Sequence, residues 1–165
     1  MYQAGDRVLY GIHGVCCVKK AEERILDGNR RLFLVLEPEG QTGCQYLVPT
    51  HNAAAMAKLR PLRTKQELHE LLASEAVRQN SWITDENLRK QTYRELIAGG
   101  DTGALLGMIN SLYQHRAKQA EQGKKFHQCD ENFLRDAEKL VCSEISAVMG
   151  MDADSTRSYL RDQLK

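Results

Sequence analysis

The sequence predicts an α+β fold of two modules, a small β module followed by an all-helical one. Three observations lead to this prediction. Turn residues divide the first part of the chain into short β-rich runs, a helical period begins at Thr64, and the net charge changes sign there. Nine basic and six acidic residues precede Thr64, and fourteen basic and sixteen acidic residues follow from it. We therefore place the modules at residues 1–63 and 64–165.

Short strands are expected in the first module because β-rich runs alternate there with turn residues. The runs are Arg7 to Tyr10, Val15 continuing toward Ile25, Arg31 to Leu36, and Cys44 to Val48. Asp27 and Gly28 supply the left-handed backbone of a tight hairpin, and residues 38–43 form a looser loop. About five short strands with few helical signals predict a small barrel or a strongly bent sheet.

Helices are expected throughout the second module. Thr64 and Glu67 match a capping box, in which each side chain accepts a hydrogen bond from a free amide at a helix start. From Asp101 an apolar stripe with helical spacing predicts a core-facing helix; it consists of Leu105, Met108, Ile109, Leu112 and Tyr113. A further helix is expected from near Asp130 to about Met149, ended by Gly150, and a short one from Ser155 to Leu164.

Composition and charge narrow the classes of function. With 42% hydrophobic and 27% charged residues, the chain has the composition of a globular protein. It has no basic leader and no apolar window near the ~18 residues of a membrane span, so we expect a cytoplasmic protein without membrane contact. A net charge of +1 argues against binding nucleic acid by bulk electrostatics alone. Any DNA contact is expected to be local or assisted by a partner.

No motif of catalysis or cofactor binding is present in the sequence. Gly123 is followed by two lysines but lacks the other glycine and the hydroxyl residue of a phosphate loop, which favours a basic interhelical loop. His13 near Cys16 and Cys17, and His127 near Cys129, lack the paired spacing of a structural zinc site. The five cysteines are an odd number and are expected to be reduced and packed as small apolar residues. We therefore predict no enzyme, no cofactor and no metal.

Trp82, the single tryptophan, has two open interpretations. A lone tryptophan is most often a core residue because its large surface dominates burial. Its sequence neighbours are polar in either conformation: Arg78, Gln79, Asp85 and Glu86 share its face in a helix, and Asn80 and Thr84 in a strand. These neighbours favour an exposed apolar tip followed by cations, which suits a wedge against bases or a hot spot for a protein partner.

The chain resembles the CarD/CdnL/TRCF family over most of its length. The polymerase-interacting domain of that family is similar to segments in the first module, namely Gly5 to Tyr10, His13 to Val15, Ile25 to Gly28, Tyr46 to Pro49, and Leu59 with Arg60. The helical domain of CarD-like regulators, especially of the firmicute type, is similar to the second half; the matching parts are Trp82, Gly100 with Asp101, Leu112 with Tyr113, and Asp130 to Leu140.

The resemblance implies a Tudor/SH3-like small β-barrel that pairs edge to edge with the protrusion of the RNA polymerase β subunit. Polymerase contacts are implied for Arg24 and for Tyr46, Leu47 and Val48, although some members carry arginine at the position of Leu47. The family tryptophan acts as a wedge at the upstream edge of the transcription bubble, which slows bubble collapse, and Trp82 matches it. The implied partners are RNA polymerase and promoter DNA, the latter bound weakly unless the chain is tethered to polymerase.

The basic residues predicted to reach DNA are Arg89, Lys90, Arg94, Lys124 and Lys125. The stretch from Trp82 to Gly100 is about one helical turn longer than in actinobacterial members, so the resemblance does not select among the first three. We thus predict a non-enzymatic, monomeric transcription regulator that joins the nucleoid through RNA polymerase. Two alternatives are a polymerase-associated adaptor without DNA contact and a sensor that uses cysteines or a metal.

Overall fold

The computed structural model describes residues 1–79 and 81–164 and confirms the α+β class. Its backbone separates into two compact units, Met1–Leu62 and Arg63–Lys165. The division falls one residue before the boundary that the sequence predicts. Asn80, named above as a neighbour of Trp82 in an extended segment, lies outside the described residues.

The first unit, the β module, is built on one antiparallel sheet. Its strands are β1 (Arg7–Tyr10), β2 (Val15–Leu26), β3 (Asn29–Pro38), β4 (Tyr46–Pro49) and β5 (Leu59–Pro61). They are ordered β4-β3-β2-β1-β5, so β4 and β5 form the two ends of the sheet. A 3₁₀ turn (Gly11–His13) joins β1 to β2, and the short helix α1 (Ala53–Met56) lies between β4 and β5.

The long β2–β3 hairpin follows the turn chemistry of its sequence. Asp27 and Gly28 have φ angles of 50° and 77°, the left-handed values that a two-residue hairpin turn requires. The pairing of β2 with β3 shifts register between Val18 and Lys20. Such an irregularity increases the local twist and lets a long strand bend over a small core. The predicted hairpin is therefore confirmed, whereas β4 begins two residues later than predicted.

The core of the β module is formed by alternate residues of its strands, whose side chains point to one face of the sheet. Its buried members are Val8, Cys16, Val18, Leu34, Leu36, Val48 and Leu59. Cys16 is fully buried and its neighbour Cys17 is only partly buried, because successive strand residues point to opposite faces. Cys16 thus packs as a small apolar residue, as the sequence predicts.

The second unit, the helical module, contains six helices in its described residues. They are α2 (Lys65–Ala73), α3 (Glu75–Arg78), α4 (Glu86–Gly99), α5 (Thr102–Glu121), α6 (Gln128–Met149) and α7 (Ala153–Gln163). Thr64 and Glu67 form the predicted capping box at the start of α2. Gly100 and Gly150 adopt left-handed conformations (φ 67° and 69°) that end α4 and α6.

Helix α5 is central to this module. The residues from Leu105 to Leu112 are all buried, and the large apolar ones among them pack with Leu134, Val141 and Ile145 of α6 in one hydrophobic core. A polar contact adds to this core, because the fully buried carboxylate of Glu144 accepts hydrogen bonds from Thr102 and Arg63. Within the described residues, no helix combines the length and the apolar character needed to cross a membrane.

Candidate polymerase and nucleic-acid interfaces

Trp82 lies in residues 81–85, which have no regular secondary structure and end at Asp85, the N-cap of α4. Its indole stacks on the imidazole of His115 from α5, with ring centroids 3.7 Å apart and planes inclined by 4°. The indole also packs against the hydrophobic core of the helical module and is partly buried. Parallel stacking at this distance fixes the plane of the indole relative to α5.

Arg89, in the first turns of α4, also contacts Trp82. Its guanidinium carbon lies 4.5 Å from the centroid of the indole, a cation–π contact. The Arg89 residue is only 6% exposed. Trp82 is therefore held by side chains of two helices.

Each of the three guanidinium nitrogens of Arg89 donates a hydrogen bond. Its Nε and Nη2 donate to the two carboxylate oxygens of Asp130 at 2.9 and 3.1 Å, and its Nη1 donates to the carbonyl oxygen of Ile83 at 3.0 Å. Asp130 lies in the first turn of α6 and is 1% exposed. A two-point arginine–carboxylate pair has a defined geometry as well as a favourable energy. It orients Arg89 and, through it, Trp82.

His115 is the least expected member of this group, which we call the Trp82 platform (Trp82, Arg89, His115 and Asp130). Burial lowers the pKa of His115, and the positive charge of Arg89 adds to this effect, while Asp130 opposes it. The neutral imidazole is thus favoured against the indole. Nothing in the local sequence of Trp82 points to His115, although this histidine continues the apolar stripe of α5 by one turn beyond Leu112.

The structure places Trp82 between the two interpretations left open by the sequence. The indole is neither a free tip in polar surroundings nor a fully buried core residue, because residues distant in sequence cover part of it. Arg89, predicted as a DNA contact, is buried and paired with a carboxylate, so its charge is already neutralised where it stands. We therefore do not count Arg89 among the cations that are exposed to DNA.

The other predicted DNA-contacting cations lie nearer the solvent. Lys90 pairs with Glu86 at 3.0 Å, and its side chain keeps 30% exposure. Arg94, one turn further along α4, is exposed. Lys124 and Lys125 are exposed in the loop between α5 and α6. Contact of these four residues with DNA stays a prediction.

The predicted polymerase-contacting residues gather at the β4 end of the sheet and on the β2–β3 hairpin. Among the described strands β4 pairs only with β3, so its other side is a sheet edge. The Leu47 residue on β4 is 39% exposed, whereas Val48 is fully buried in the core. Arg24 is exposed on β2 and pairs with Glu22 at 3.2 Å. A partner at this edge can thus meet the side chain of Leu47, whereas the side chain of Val48 is buried beneath the edge strand.

Tyr46, the first residue of β4, packs against two side chains near the start of the sheet. Its ring centroid lies 4.2 Å from that of His13 and 5.6 Å from that of Tyr10. These contacts hold the ring of Tyr46 partly buried. Tyr46 therefore anchors the beginning of the edge strand.

The cysteines and histidines show no arrangement for metal binding in the part of the chain that the structure describes. In residues 1–79 and 81–164, no group of three or more His, Cys, Asp or Glu side chains is placed to hold a metal ion. Burial raises the pKa of the Cys16 and Cys142 thiols to about 11. A thiol with a raised pKa is a poor nucleophile at neutral pH, which disfavours a redox role for these two residues.

A comparison with known protein families identifies the family of the β module. Residues 2–62 match the model of the CarD-like/TRCF RID domain. The β module belongs to the CarD-like/TRCF RID family. That family consists of non-catalytic interaction domains of transcription factors that bind RNA polymerase. The match ends at the residue where the first compact unit ends. No curated protein is significantly similar to the chain.

Proposed function

We propose that this protein is a transcription regulator that binds the protrusion of the RNA polymerase β subunit and stabilises the promoter open complex. The observation that carries the proposal is the combination of a RID-family β module with a tryptophan held on a defined platform in the helical module. Such a protein does not need to catalyse a reaction. It acts by binding one state of the polymerase–promoter complex more tightly than another.

Polymerase binding is assigned to the free side of β4. An exposed sheet edge can accept a strand of a partner, with main-chain hydrogen bonds giving affinity and side chains giving specificity. Leu47 offers an apolar side chain there, and Arg24 offers a cation on the β2–β3 hairpin. Tyr46 and Val48 stay part of this proposal as the neighbours that hold Leu47 in the edge strand.

DNA contact is assigned to the part of the Trp82 indole that the platform leaves accessible. An indole fixed by His115 and Arg89 loses little conformational entropy when it meets a base at the upstream edge of the bubble. Stacking of one aromatic ring contributes about 1–3 kcal/mol. A tenfold shift toward the open complex needs ~1.4 kcal/mol, so a single ring is sufficient. Lys90, Arg94, Lys124 and Lys125 are assigned to phosphates.

Tethering reconciles this role with the charge of the helical module, which has two more acidic than basic residues from Thr64 onward. Such a module does not accumulate on DNA through its overall charge. Once the β module binds polymerase, the helical module experiences a high effective concentration of promoter DNA. The same tethering places the protein on the nucleoid.

Open-complex lifetime on a slowly melting promoter tests the proposal. We expect Trp82→Ala to retain polymerase binding and to shorten the lifetime, and Leu47→Glu to lose polymerase binding and the lifetime effect together. Tyr159→Ala is the matched control, because Tyr159 is another partly buried aromatic residue packed on the same core. An unchanged open-complex lifetime with Trp82→Ala would exclude Trp82 as the wedge. Retained polymerase binding with Leu47→Glu would exclude the β4 edge as the polymerase-binding site.

The partial burial of Trp82 supports a second candidate function. In this alternative the protein is a polymerase-associated adaptor, and the platform is a hot spot for another protein instead of DNA. Photocrosslinking from position 82 in the polymerase–promoter complex separates the two. Crosslinks to DNA favour the regulator, and crosslinks to protein alone favour the adaptor.

A further inference from the structure

A cationic groove lies between α6 and α7, is also lined by one residue of α5, and shares no residue with the Trp82 platform. Its volume is about 490 Å³, which lies in the usual range of small-molecule sites. Five basic side chains line it: Arg116, Arg135, Lys139, Arg157 and Arg161. This concentration of positive charge is unusual for the helical module, in which acidic residues outnumber basic ones.

Four of the five cations form two pairs, one on each of the helices α6 and α7. Arg135 and Lys139 are one helical turn apart on α6, and Arg157 and Arg161 are one turn apart on α7. Residues at this spacing lie on one face of a helix, roughly 5–6 Å apart at their Cβ atoms. The two helices meet at Glu138, whose carboxylate lies 4.0 Å from Arg157. Two rows of cations therefore border one concave space.

Within the described residues, most of these cations have no strong acidic partner. Arg157 makes only the long contact with Glu138, while Arg135 donates to the amide oxygen of Asn132 at 3.0 Å. Arg116 lies over the ring of Tyr113, 5.2 Å from its centroid. The guanidinium groups thus keep donors that suit an anion with several oxygens, such as phosphate.

We propose that the groove between α6 and α7 binds a compact anion carrying two or more linked phosphates. Two linked phosphates can receive arginine donors from both walls at once, which a single phosphate does less well. A duplex DNA backbone fits the groove poorly, because a continuous row of phosphates would also approach the carboxylates of Glu131 and Glu138 at its lining. A discrete anion can lie among the arginines and avoid these carboxylates.

Calorimetric titration of the full chain with inorganic pyrophosphate, at constant ionic strength, tests the proposal. We expect saturable binding that the pair Arg157→Gln and Arg161→Gln weakens by at least about tenfold, since charge-assisted hydrogen bonds are removed. The matched control is Lys65→Gln with Lys118→Gln, which removes the same charge from exposed positions outside the groove. Urea denaturation of each variant establishes that it is folded.

A gain-of-affinity variant makes the test independent of damage to the fold. Glu138→Gln removes the carboxylate nearest to Arg157 with little change of shape, and we expect it to tighten pyrophosphate binding roughly threefold, as removal of one like charge at ~6 Å implies. Unchanged or weaker binding would overturn the proposal.

Three further outcomes would also overturn the proposal. The first is that pyrophosphate shows no saturable binding, and the second is that sulfate and pyrophosphate bind with equal affinity. The third is that the unmodified chain does not bind pyrophosphate, while the Arg157→Gln and Arg161→Gln variant loses binding to duplex DNA. Displacement of pyrophosphate by a nucleoside diphosphate would support it and identify the wider ligand class. Because the free chain is used, these results are independent of open-complex lifetime.

Discussion

Arg89 and Asp130 form a two-point ion pair that is almost completely shielded from solvent and joins the start of α4 to the start of α6. The same guanidinium contacts the Trp82 indole at 4.5 Å from its centroid. A contact inside the helical module thus controls the orientation of the residue to which we assign DNA contact. Arg89 and Asp130 are therefore residues that position Trp82, whereas Trp82 is the residue that we expect to contact DNA.

Breaking the Arg89–Asp130 ion pair tests how much it contributes to the stability of the fold. Asp130→Asn leaves the Arg89 charge buried without a charged partner, and we expect the free energy of unfolding to fall by about 3–5 kcal/mol. Urea denaturation measures this change. The control is Glu86→Gln, which breaks the exposed pair with Lys90 and should change stability little. Equal stabilities of the two variants would contradict the positioning role of Asp130.

The stack of Trp82 on His115 should respond to pH. Because burial lowers the pKa of His115 below its usual value of 6.5, the unfolded chain binds more protons than the folded chain between these two pKa values. The stability that depends on neutral His115 is therefore complete above pH 6.5 and lost as the pH falls below it.

Fluorescence of Trp82, the only tryptophan, measures this titration directly. We expect a transition with a midpoint below pH 6.5, the usual pKa value of histidine. His115→Gln should abolish it, and His51→Gln, which changes a residue of the β module, should leave it in place. Charges that act on His115 are those of Asp130, Arg89, Lys118 and His127. A transition that persists in His115→Gln would show that His115 is not the titrating group.

Substitutions at two neighbouring residues of β4 should affect different properties, one polymerase binding and the other stability. Leu47 is 39% exposed, so Leu47→Glu should weaken polymerase binding with a change in stability within about 0.5 kcal/mol. Val48→Ala removes buried methyl groups and should destabilise the β module by about 0.5–2 kcal/mol while the folded protein still binds polymerase. Thermal denaturation and polymerase capture measure the two quantities. Ile12→Glu, a matched change at an exposed apolar residue of the same module, is the control for capture.

Lys90, which is partly exposed, and Arg94, which is exposed, should act through phosphates. The double variant Lys90→Gln and Arg94→Gln should weaken binding to promoter DNA in the polymerase complex and make that binding less dependent on salt. The expected reduction is about one unit of slope for each phosphate that the variant no longer neutralises. Lys65→Gln serves as the control. An unchanged salt slope would mean that neither cation contacts a phosphate.

Much of the fold follows from local sequence patterns. The capping box of Thr64 and Glu67, the Asp27–Gly28 hairpin and the apolar stripe of α5 all lead to the structures they predict, because each depends on residues within a few positions of one another. The strand β5 and the helices α1 and α3 are not among the predicted elements. They are only three or four residues long, too short for a hydrophobic period to show.

The surroundings of Trp82 could not be predicted in this way. Its sequence neighbours are polar and indicate exposure, whereas the groups that hold it come from α5 and α6. Arg89 and Asp130 are 41 positions apart, and no local pattern relates them. The positive charge of Arg89 is visible in the sequence, but its burial and its acidic partner are not.

The α+β class, the order of the two modules and the resemblance that the RID-family match confirms for the β module could therefore all be inferred before the structure was known. Three features depend on tertiary packing: which cations stay in solvent, which face of β4 is buried and how Trp82 is held. The physical reason is that secondary structure depends mainly on short-range hydrogen bonds and side-chain periodicity. Burial and ion pairing depend on which distant helices and strands the core brings together.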